Sequence, residues 1–211
     1  MTEHPPLEVK VWGPWACFTR PEMKAERVSY PVMTPSAARG VLEAIFWKPE
    51  ITWKVREIWV LKDINFVSIQ RNEVTQKASL SSARKGNTIV AEDARAQRQT
   101  LALQDVAYLI KADQQIKPHT KEDPAKWRDQ FRRRVNKGQC FHRPYLGCRE
   151  FSADFGPPEG NEKPVSTDMG IGRMLLDLAY EPDGSGRGIP YFFPARLEKG
   201  VLHVPQETPQ P

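Results

Sequence analysis

The chain contains 211 residues, of which 39% are hydrophobic and 27% charged, and its formal net charge is +5. This composition is typical of a folded protein of one or two domains and excludes an intrinsically disordered chain. No run of 18 apolar residues is present, which excludes a transmembrane helix. The first residues lack the basic and apolar regions of a secretory signal, and there are only three cysteines, so we expect a cytoplasmic protein with free thiols.

The positive charge is concentrated in one part of the chain. Residues 117–149 contain ten Lys or Arg and three Asp or Glu, a local net charge of +7. Residues 68–98 carry a further +3, so the rest of the chain sums to −5. Such a basic stretch is able to bind the phosphates of a nucleic acid through counterion release. A solvated helix face with arginine stems packed on aromatic rings explains the pattern equally well, so both interpretations stay open.

The first half of the chain combines strands with one clear helix. Apolar residues at every second position predict a strand over 7–12, which the following Gly-Pro pair is expected to end. Thr34 followed by Pro35 predicts the start of an amphipathic helix that ends at the next Lys-Pro pair. Alternation over 51–61 predicts a long strand, and 66–69 is predicted to be its neighbour.

The second half begins with a polar insertion. Residues 70–99 are rich in breakers and predict a long loop or a protruding hairpin, before a buried strand over 101–110. A cap-then-proline pair and an apolar stripe predict a basic helix over 123–138. Residues 139–155 are interpreted as strand and turn, and a β region follows that includes a strand over 174–180 and a last hairpin.

Aromatic residues on these elements are predicted to be mostly core. Trp53 and Trp59 occupy alternating positions of the long strand, and Trp127 lies on the apolar stripe of the basic helix. Trp12, Trp15 and Trp47 are freer to be surface groups. Six tryptophans could also stack on bases, but for the first three core packing is the better interpretation.

The order strand, helix, strand, strand, helix, strand is typical of the split βαβ, or ferredoxin-like, pattern, and therefore of an α+β fold. This pattern is a common RNA-binding platform but does not determine function by itself. Cys140, His142 and Cys148 are potential metal ligands, yet they lack a C-x₂₋₄-C pair, so no metal site is predicted. His119 and His142 are candidate acids or bases near neutral pH.

Three stretches together resemble one known family. They read MTPSAARGVLEAIFWKP at 33–49, SIQRNEV at 68–74 with RQTLALQDVAY at 98–108, and KGQCFHRPYLGCREF at 137–151. These stretches resemble the CRISPR-associated Cas5 proteins of subtype I-C, the variant called d or Dvulg, and the similarity extends from about Val9 to Phe193. The resemblance implies a RAMP-type ferredoxin-like domain over 1–156, with a protruding insertion at about 70–99, and a small C-terminal antiparallel β domain over 157–211.

The resemblance also implies an activity. Members cleave precursor CRISPR RNA at the base of the repeat hairpin and then stay on the 5′ handle as a subunit of the type I-C interference complex. The reaction needs no metal or cofactor: the 2′-OH attacks the neighbouring phosphate and leaves a 2′,3′-cyclic phosphate. A non-cleaving scaffold that caps the 5′ handle is the alternative from another class, and binding of double-stranded DNA is left open. A basic ferredoxin-like protein unrelated to CRISPR is a third, weaker interpretation.

Catalytic positions are carried over residue by residue. In a well-studied member they are a tyrosine at the end of the first helix, which falls on Phe46, and a Lys-His pair, which falls on Lys126 and Trp127. Lys126 is therefore the first candidate, as the cation that stabilises the transition state. His142 as acid or base and Tyr145 as hydroxyl donor are second candidates. The residues expected to bind RNA are Arg20, Lys24, Arg71, Arg128, Arg132, Arg133, Arg134, Lys137 and Arg143.

Overall fold

The computed structural model describes residues 4–23, 25–118, 123–180 and 188–206, without the side chains of residues 179 and 180. Within these residues lie nine strands and three helices. The strands are β1 (Leu7–Ala16), β2 (Arg27–Val28), β3 (Ile51–Val60), β4 (Asn65–Val74), β5 (Arg95–Ile116), β6 (Asp154–Gly156), β7 (Met169–Tyr180), β8 (Gly188–Glu198) and β9 (Val201–His203). The helices are α1 (Pro35–Ile45), α2 (Leu80–Arg84) and α3 (Pro124–Asn136).

The strands form one mostly antiparallel sheet in the order β6-β1-β5-β3-β9-β8-β7. The C-terminal strands are continuous with the first part, because β9 pairs with both β3 and β8. Off this path, β2 runs parallel to β5 and β4 runs antiparallel to it. The architecture is α+β. The division into two domains at residue 156 stays a prediction, although hydrogen bonding crosses that boundary.

Strand β5 is 22 residues long and has two roles. Its second half lies between β1 and β3 in the sheet centre. Its first half pairs with β4 over 65–74, so the predicted insertion contains a β-hairpin with α2 in its 75–94 tip. The predicted pairing of 66–69 with the preceding strand is wrong, because β4 pairs with β5 instead.

Two local predictions are also wrong for identifiable reasons. The first strand does not end at Gly13 but continues to Ala16, with Pro14 unpaired opposite a β5 irregularity in which Asp105 has a φ of +51°. In β3 a bulge between Val55 and Glu57 reverses the alternation. Trp53 is therefore 4% exposed, whereas Trp59 is half-buried on the opposite face.

Both longer helices begin as predicted. The Thr34 hydroxyl caps α1 by accepting from the Ala37 N–H, and the Asp123 carboxylate caps α3 by accepting from the Ala125 N–H. The apolar stripe of α3 is buried. Its Phe131 ring lies 4.7 Å from the Trp53 ring of β3, and its Trp127 ring lies 6.2 Å from the ring of Phe46, the residue that follows α1. This contact brings the basic helix to the C-terminal end of α1.

Candidate nucleic-acid interface

Two positions of interest meet at the C-terminal end of α1: Phe46, where the family resemblance implies a tyrosine, and Trp127, where it implies a histidine. Phe46 follows the last helical residue and is fully buried, and its ring centroid lies 6.2 Å from that of Trp127. The Trp127 side chain is 6% exposed, and its indole nitrogen has no hydrogen-bond partner among the described residues. Neither ring carries a group that can accept a proton. The pair is therefore an apolar contact and does not supply an acid or a base.

The Arg134 side chain hydrogen-bonds the backbone at this end of α1. Its Nη1 donates to the carbonyl oxygen of Ile45 at 2.7 Å, and its guanidinium carbon lies 5.3 Å from the centroid of the Phe46 ring. A cation at a helix C-terminus stabilises the unpaired carbonyl groups and the negative end of the helix dipole. The side chain is half-buried. Arg134 was predicted to bind RNA, and the structure places its guanidinium on the protein's own backbone.

Lys126 lies on the first turn of α3 beside this contact. Its side chain is exposed, and its Nζ is 5.0 Å from the centroid of the Trp127 ring. A cation–π contact at such a surface position contributes about 0.5–1 kcal/mol and fixes the direction of the ammonium. Of the three carried-over positions, Lys126 is the one that keeps its chemistry and faces water.

The segment that follows α3 returns to the same helix end. The backbone N–H groups of Phe141 and His142 both point at the carbonyl oxygen of Ala44, at 2.8 and 3.4 Å. The His142 side chain is exposed, and its Nδ1 lies 3.3 Å from the carbonyl oxygen of Arg143. The tautomer that donates from Nδ1 to this carbonyl leaves Nε2 as a proton acceptor. The exposed His142 side chain is thus held close to the end of α1. Lys126 is connected to the same helix end indirectly, because it lies against Trp127 and Trp127 contacts Phe46.

Tyr145 lies apart from this group. It is 36% exposed and lines a cleft of about 430 Å³ together with residues of the N-terminal half of α1, including Thr34 and Gly40. Gly40 precedes Ala44 by four residues, which is about 6 Å along the helix axis. The structure therefore holds His142 at the C-terminal end of α1 and places Tyr145 in a cleft beside the first turns of that helix. Lys126 is connected to the helix end indirectly, through the rings of Trp127 and Phe46.

The basic face of α3 is smaller than the sequence indicates. Arg132, Arg133 and Lys137 are exposed, and Arg132 makes an ion pair with Asp129 on the same helix at 3.3 Å. Arg128 is 7% exposed, its guanidinium donates to the backbone oxygen of residue 5, and burial lowers its pKa. Because its side chain is buried and bound to the protein's own backbone, Arg128 is not available to contact RNA in this structure.

The predicted RNA contacts on other elements have carboxylate partners. Arg20 stacks on the Tyr30 ring at 4.5 Å and lies 3.8 Å from a carboxylate oxygen of Glu22. Arg71 pairs with carboxylates from the hairpin and from the 146–151 segment, and Arg143 pairs with a carboxylate of β6. Their charge is thus partly neutralised within the protein. Lys24 and His119 lie outside the described residues.

A thiol pair connects the 146–150 segment to β1, and the sequence analysis missed it because 131 residues separate the two cysteines. The Cys148 Sγ donates to the backbone oxygen of Cys17 at 3.5 Å, and Arg27 Nη1 lies 3.4 Å from the same sulfur. A Cβ on Gly147 would lie 2.1 Å from that Cys17 oxygen, and its φ of +85° also favours glycine. The closeness of the two thiols lowers the pKa of Cys148 and raises that of Cys17.

Two features are absent from the part of the chain that the structure describes. None of its helices has the length and apolar character needed to span a bilayer. No three His, Cys, Asp or Glu side chains among the described residues form a group suited to a metal ion.

Comparisons with known proteins identify the family. The Cas5d-type model described as CRISPR-associated protein (Cas_Cas5) matches residues 6–205. This chain belongs to the Cas5d family. A Thermus thermophilus protein named CRISPR pre-crRNA endoribonuclease Cas5d is 48% identical over 97% of this chain and 93% of its own length. A Mannheimia succiniciproducens protein of the same name is 44% identical over 94% of each chain.

The fold agrees with this membership. A crystal structure of a CRISPR-associated protein superposes with a TM-score of 0.69 at 23% identity and covers 96% of this chain and 95% of its own. The family resemblance inferred from the three sequence stretches is thereby confirmed.

Proposed function

We propose that this protein is an endoribonuclease that cleaves precursor CRISPR RNA. Two relatives that bear this activity in their names match nearly its whole length at 44–48% identity. Those names favour an enzyme over the scaffold alternative. The structural observation that carries the proposal concerns an exposed ammonium and an exposed imidazole. Lys126 lies against Trp127, whose ring contacts Phe46 at the end of α1, and His142 is held by its backbone N–H at Ala44 in the last turn of that helix.

The proposed reaction is metal-independent transesterification. The 2′-OH of the nucleotide before the cut attacks the adjacent phosphorus, the P–O5′ bond breaks, and the products end in a 2′,3′-cyclic phosphate and a 5′-OH. Nε2 of His142 takes the proton of the 2′-OH or returns one to the leaving 5′-oxygen. Lys126 stabilises the added negative charge of the phosphorane, because an ammonium interacts more strongly with a dianion than with the diester.

Tyr145 has a different role in this proposal. Its hydroxyl lines the cleft along the first turns of α1, away from the helix end that holds His142. We therefore assign it to contacts with the RNA and not to proton transfer at the cut. The apolar pair of Phe46 and Trp127 supports the Lys126 side chain from below.

The RNA is proposed to lie across the exposed cations of α3, namely Arg132, Arg133 and Lys137. Counterion release from these groups provides affinity without sequence selection. The product is proposed to stay bound through its 5′ handle, so that the protein becomes a subunit of the type I-C interference complex. We interpret the sheet portion β6-β1-β5-β3 as the split βαβ domain, with the C-terminal strands as an addition to its edge.

Cleavage of a synthetic repeat hairpin by the pure protein in EDTA tests this proposal. The expected products carry a cyclic phosphate upstream and a 5′-OH downstream, and a 2′-deoxy sugar before the cut abolishes cleavage by removing the nucleophile. Binding without cleavage would favour the alternative, a non-cleaving scaffold that caps the 5′ handle. Cleavage of the deoxy substrate, or a strict need for Mg²⁺, would contradict the 2′-OH mechanism.

A further inference from the structure

Phe141 is the most exposed of the large apolar side chains in the described part of the chain. Its relative exposure is 83%, close to the 81% of Leu80 and well above the 57% of Trp47, the next most exposed aromatic side chain. An exposed ring forgoes the favourable transfer of its apolar surface out of water. Single exposed apolar residues are common, so exposure alone assigns no role. The position of the ring does carry information.

The backbone holds Phe141 in a defined place. Its N–H donates to the carbonyl oxygen of Ala44 at 2.8 Å, which ties it to the last turn of α1. Its ring packs edge to face with that of His142, with centroids 6.0 Å apart and an interplanar angle of 70°. The Phe141 ring is thus presented to solvent beside the imidazole that the proposed reaction uses.

The charges around the ring indicate what covers it. The same chain segment carries exposed cations at Lys137 and Arg149, and an exposed Arg143 that pairs with Asp154. Apart from Tyr145, no other large hydrophobic side chain of residues 137–150 is among the exposed ones. A protein interface core is depleted of such charges. Aromatic rings among cations are typical of surfaces that bind single-stranded nucleic acid, because the cations contact phosphates and the rings stack on bases.

We propose that Phe141 is the stacking platform for one unpaired nucleobase of the RNA, next to the cleaved phosphate. This inference rests on the proposed function for the identity of the ligand. It assigns to the protein a nucleobase site, which positions the nucleotide so that its phosphate reaches Lys126 and His142. Because every base has a π-face, the site selects for an unpaired base more than for its identity.

Binding of the repeat RNA to Phe141 variants tests the platform. Loss of one base–aromatic stack typically weakens binding by about 5- to 150-fold. Phe141→Ala and Phe141→Leu are expected to raise the Kd within this range, because leucine keeps an apolar side chain but has no π-face. Phe141→Trp is expected to bind within a few-fold of the parent. Ile189→Ala, which truncates an exposed apolar residue on β8, is the matched control and is expected to change nothing.

A double-mutant cycle identifies the base. The RNA is made abasic at one nucleotide at a time around the cut, and 2-aminopurine replaces the base at the same positions. At one position, the abasic change and Phe141→Ala are expected to give the same loss separately and no further loss together. The parent protein is expected to quench 2-aminopurine there, and Phe141→Ala is not.

Two outcomes overturn the inference. Equal RNA affinity of the parent and Phe141→Ala would show that the ring contacts no base and faces some other partner. Strictly additive losses at every abasic position would show that the ring acts without stacking. Both results are independent of the proposed cleavage, which is judged separately by whether the parent protein cuts the unmodified repeat. Thermal melting of each variant checks folding.

Discussion

Removal of the Lys126 ammonium is the sharpest test of the proposed chemistry. The side chain is exposed on the first turn of α3, with Nζ 5.0 Å from the centroid of the Trp127 ring. Lys126→Ala removes the cation and a cation–π contact of about 0.5–1 kcal/mol at such a surface. The buried contact between Trp127 and Phe46 is left in place. The variant is therefore expected to fold and to melt close to the parent.

The expected magnitude follows from the charge that develops in the reaction. The phosphodiester carries one negative charge and the phosphorane carries about one more. One extra unit charge at about 4 Å from an ammonium, with an effective dielectric constant near 20, corresponds to about 4 kcal/mol. That is roughly a thousand-fold in rate, and single contacts to developing oxyanions are typically worth about 10²–10³. We expect Lys126→Ala to slow cleavage by this order.

Single-turnover cleavage of labelled repeat RNA in EDTA measures the rate, and filter binding measures the Kd. The Kd is expected to stay within a few-fold, because the other cations of α3 remain. Lys163→Ala removes an exposed cation from the loop after β6 and serves as the matched control, with unchanged rate. Full activity of Lys126→Ala would refute the assignment. An equal loss in rate and affinity would make Lys126 a binding residue and not a catalytic one.

Three further predictions concern the core, the basic helix and the thiol pair. Trp53→Ala is expected to lower the free energy of unfolding by about 3–5 kcal/mol, since the ring is buried and its indole N–H is hydrogen-bonded. Trp59→Ala is expected to lower it by roughly 1–2 kcal/mol, because that ring is half-buried. Equal losses in urea melts would contradict the reversed strand alternation. Joint replacement of Arg132 and Arg133 by Ala is expected to reduce the slope of log Kd against log salt by about 1–2, and an unchanged slope would mean that this face is only solvated. The Cys148 thiol is expected to be alkylated with a midpoint pH below the ordinary value of about 8.5, because the Cys17 thiol and the Arg27 guanidinium lower its pKa. The Cys148→Ser variant serves as the blank. A midpoint at or above the ordinary value would argue against the thiol pair.

Local signals predicted the helices well. Cap-then-proline pairs determine where α1 and α3 begin, because a capping side chain and a missing N–H both suit the first turn of a helix. The apolar stripe of α3 was equally clear, and Phe131 is fully buried as expected. Both features depend on neighbouring residues alone, which is why the sequence reveals them.

Features that depend on distant pairing were not predictable in this way. The bulge in β3 that places Trp59 on the opposite face leaves no mark in an alternating sequence. The pairing of β4 with β5 depends on a strand that begins twenty residues later. The contact between Cys17 and Cys148, and the burial of Arg128 against residue 5, join parts of the chain more than 120 residues apart.

The rings of Phe46 and Trp127 contact each other at the end of α1, at the two positions where the family resemblance leads us to expect a tyrosine and a histidine. The Phe46 backbone oxygen already accepts the indole N–H of Trp53 at 2.9 Å, and Arg134 satisfies the carbonyl before it. A tyrosine hydroxyl at position 46 would enter a fully buried space, and an imidazole at position 127 would lie where the present indole nitrogen finds no partner among the described residues. Either polar group alone would be buried without a hydrogen bond, at a cost of about 1–3 kcal/mol. A tyrosine and a histidine can satisfy each other, whereas Phe46 and Trp127 satisfy each other as apolar rings. With apolar rings at both positions, we propose that proton transfer in this chain comes from an exposed group, and His142 is exposed and held by its backbone at the same helix end.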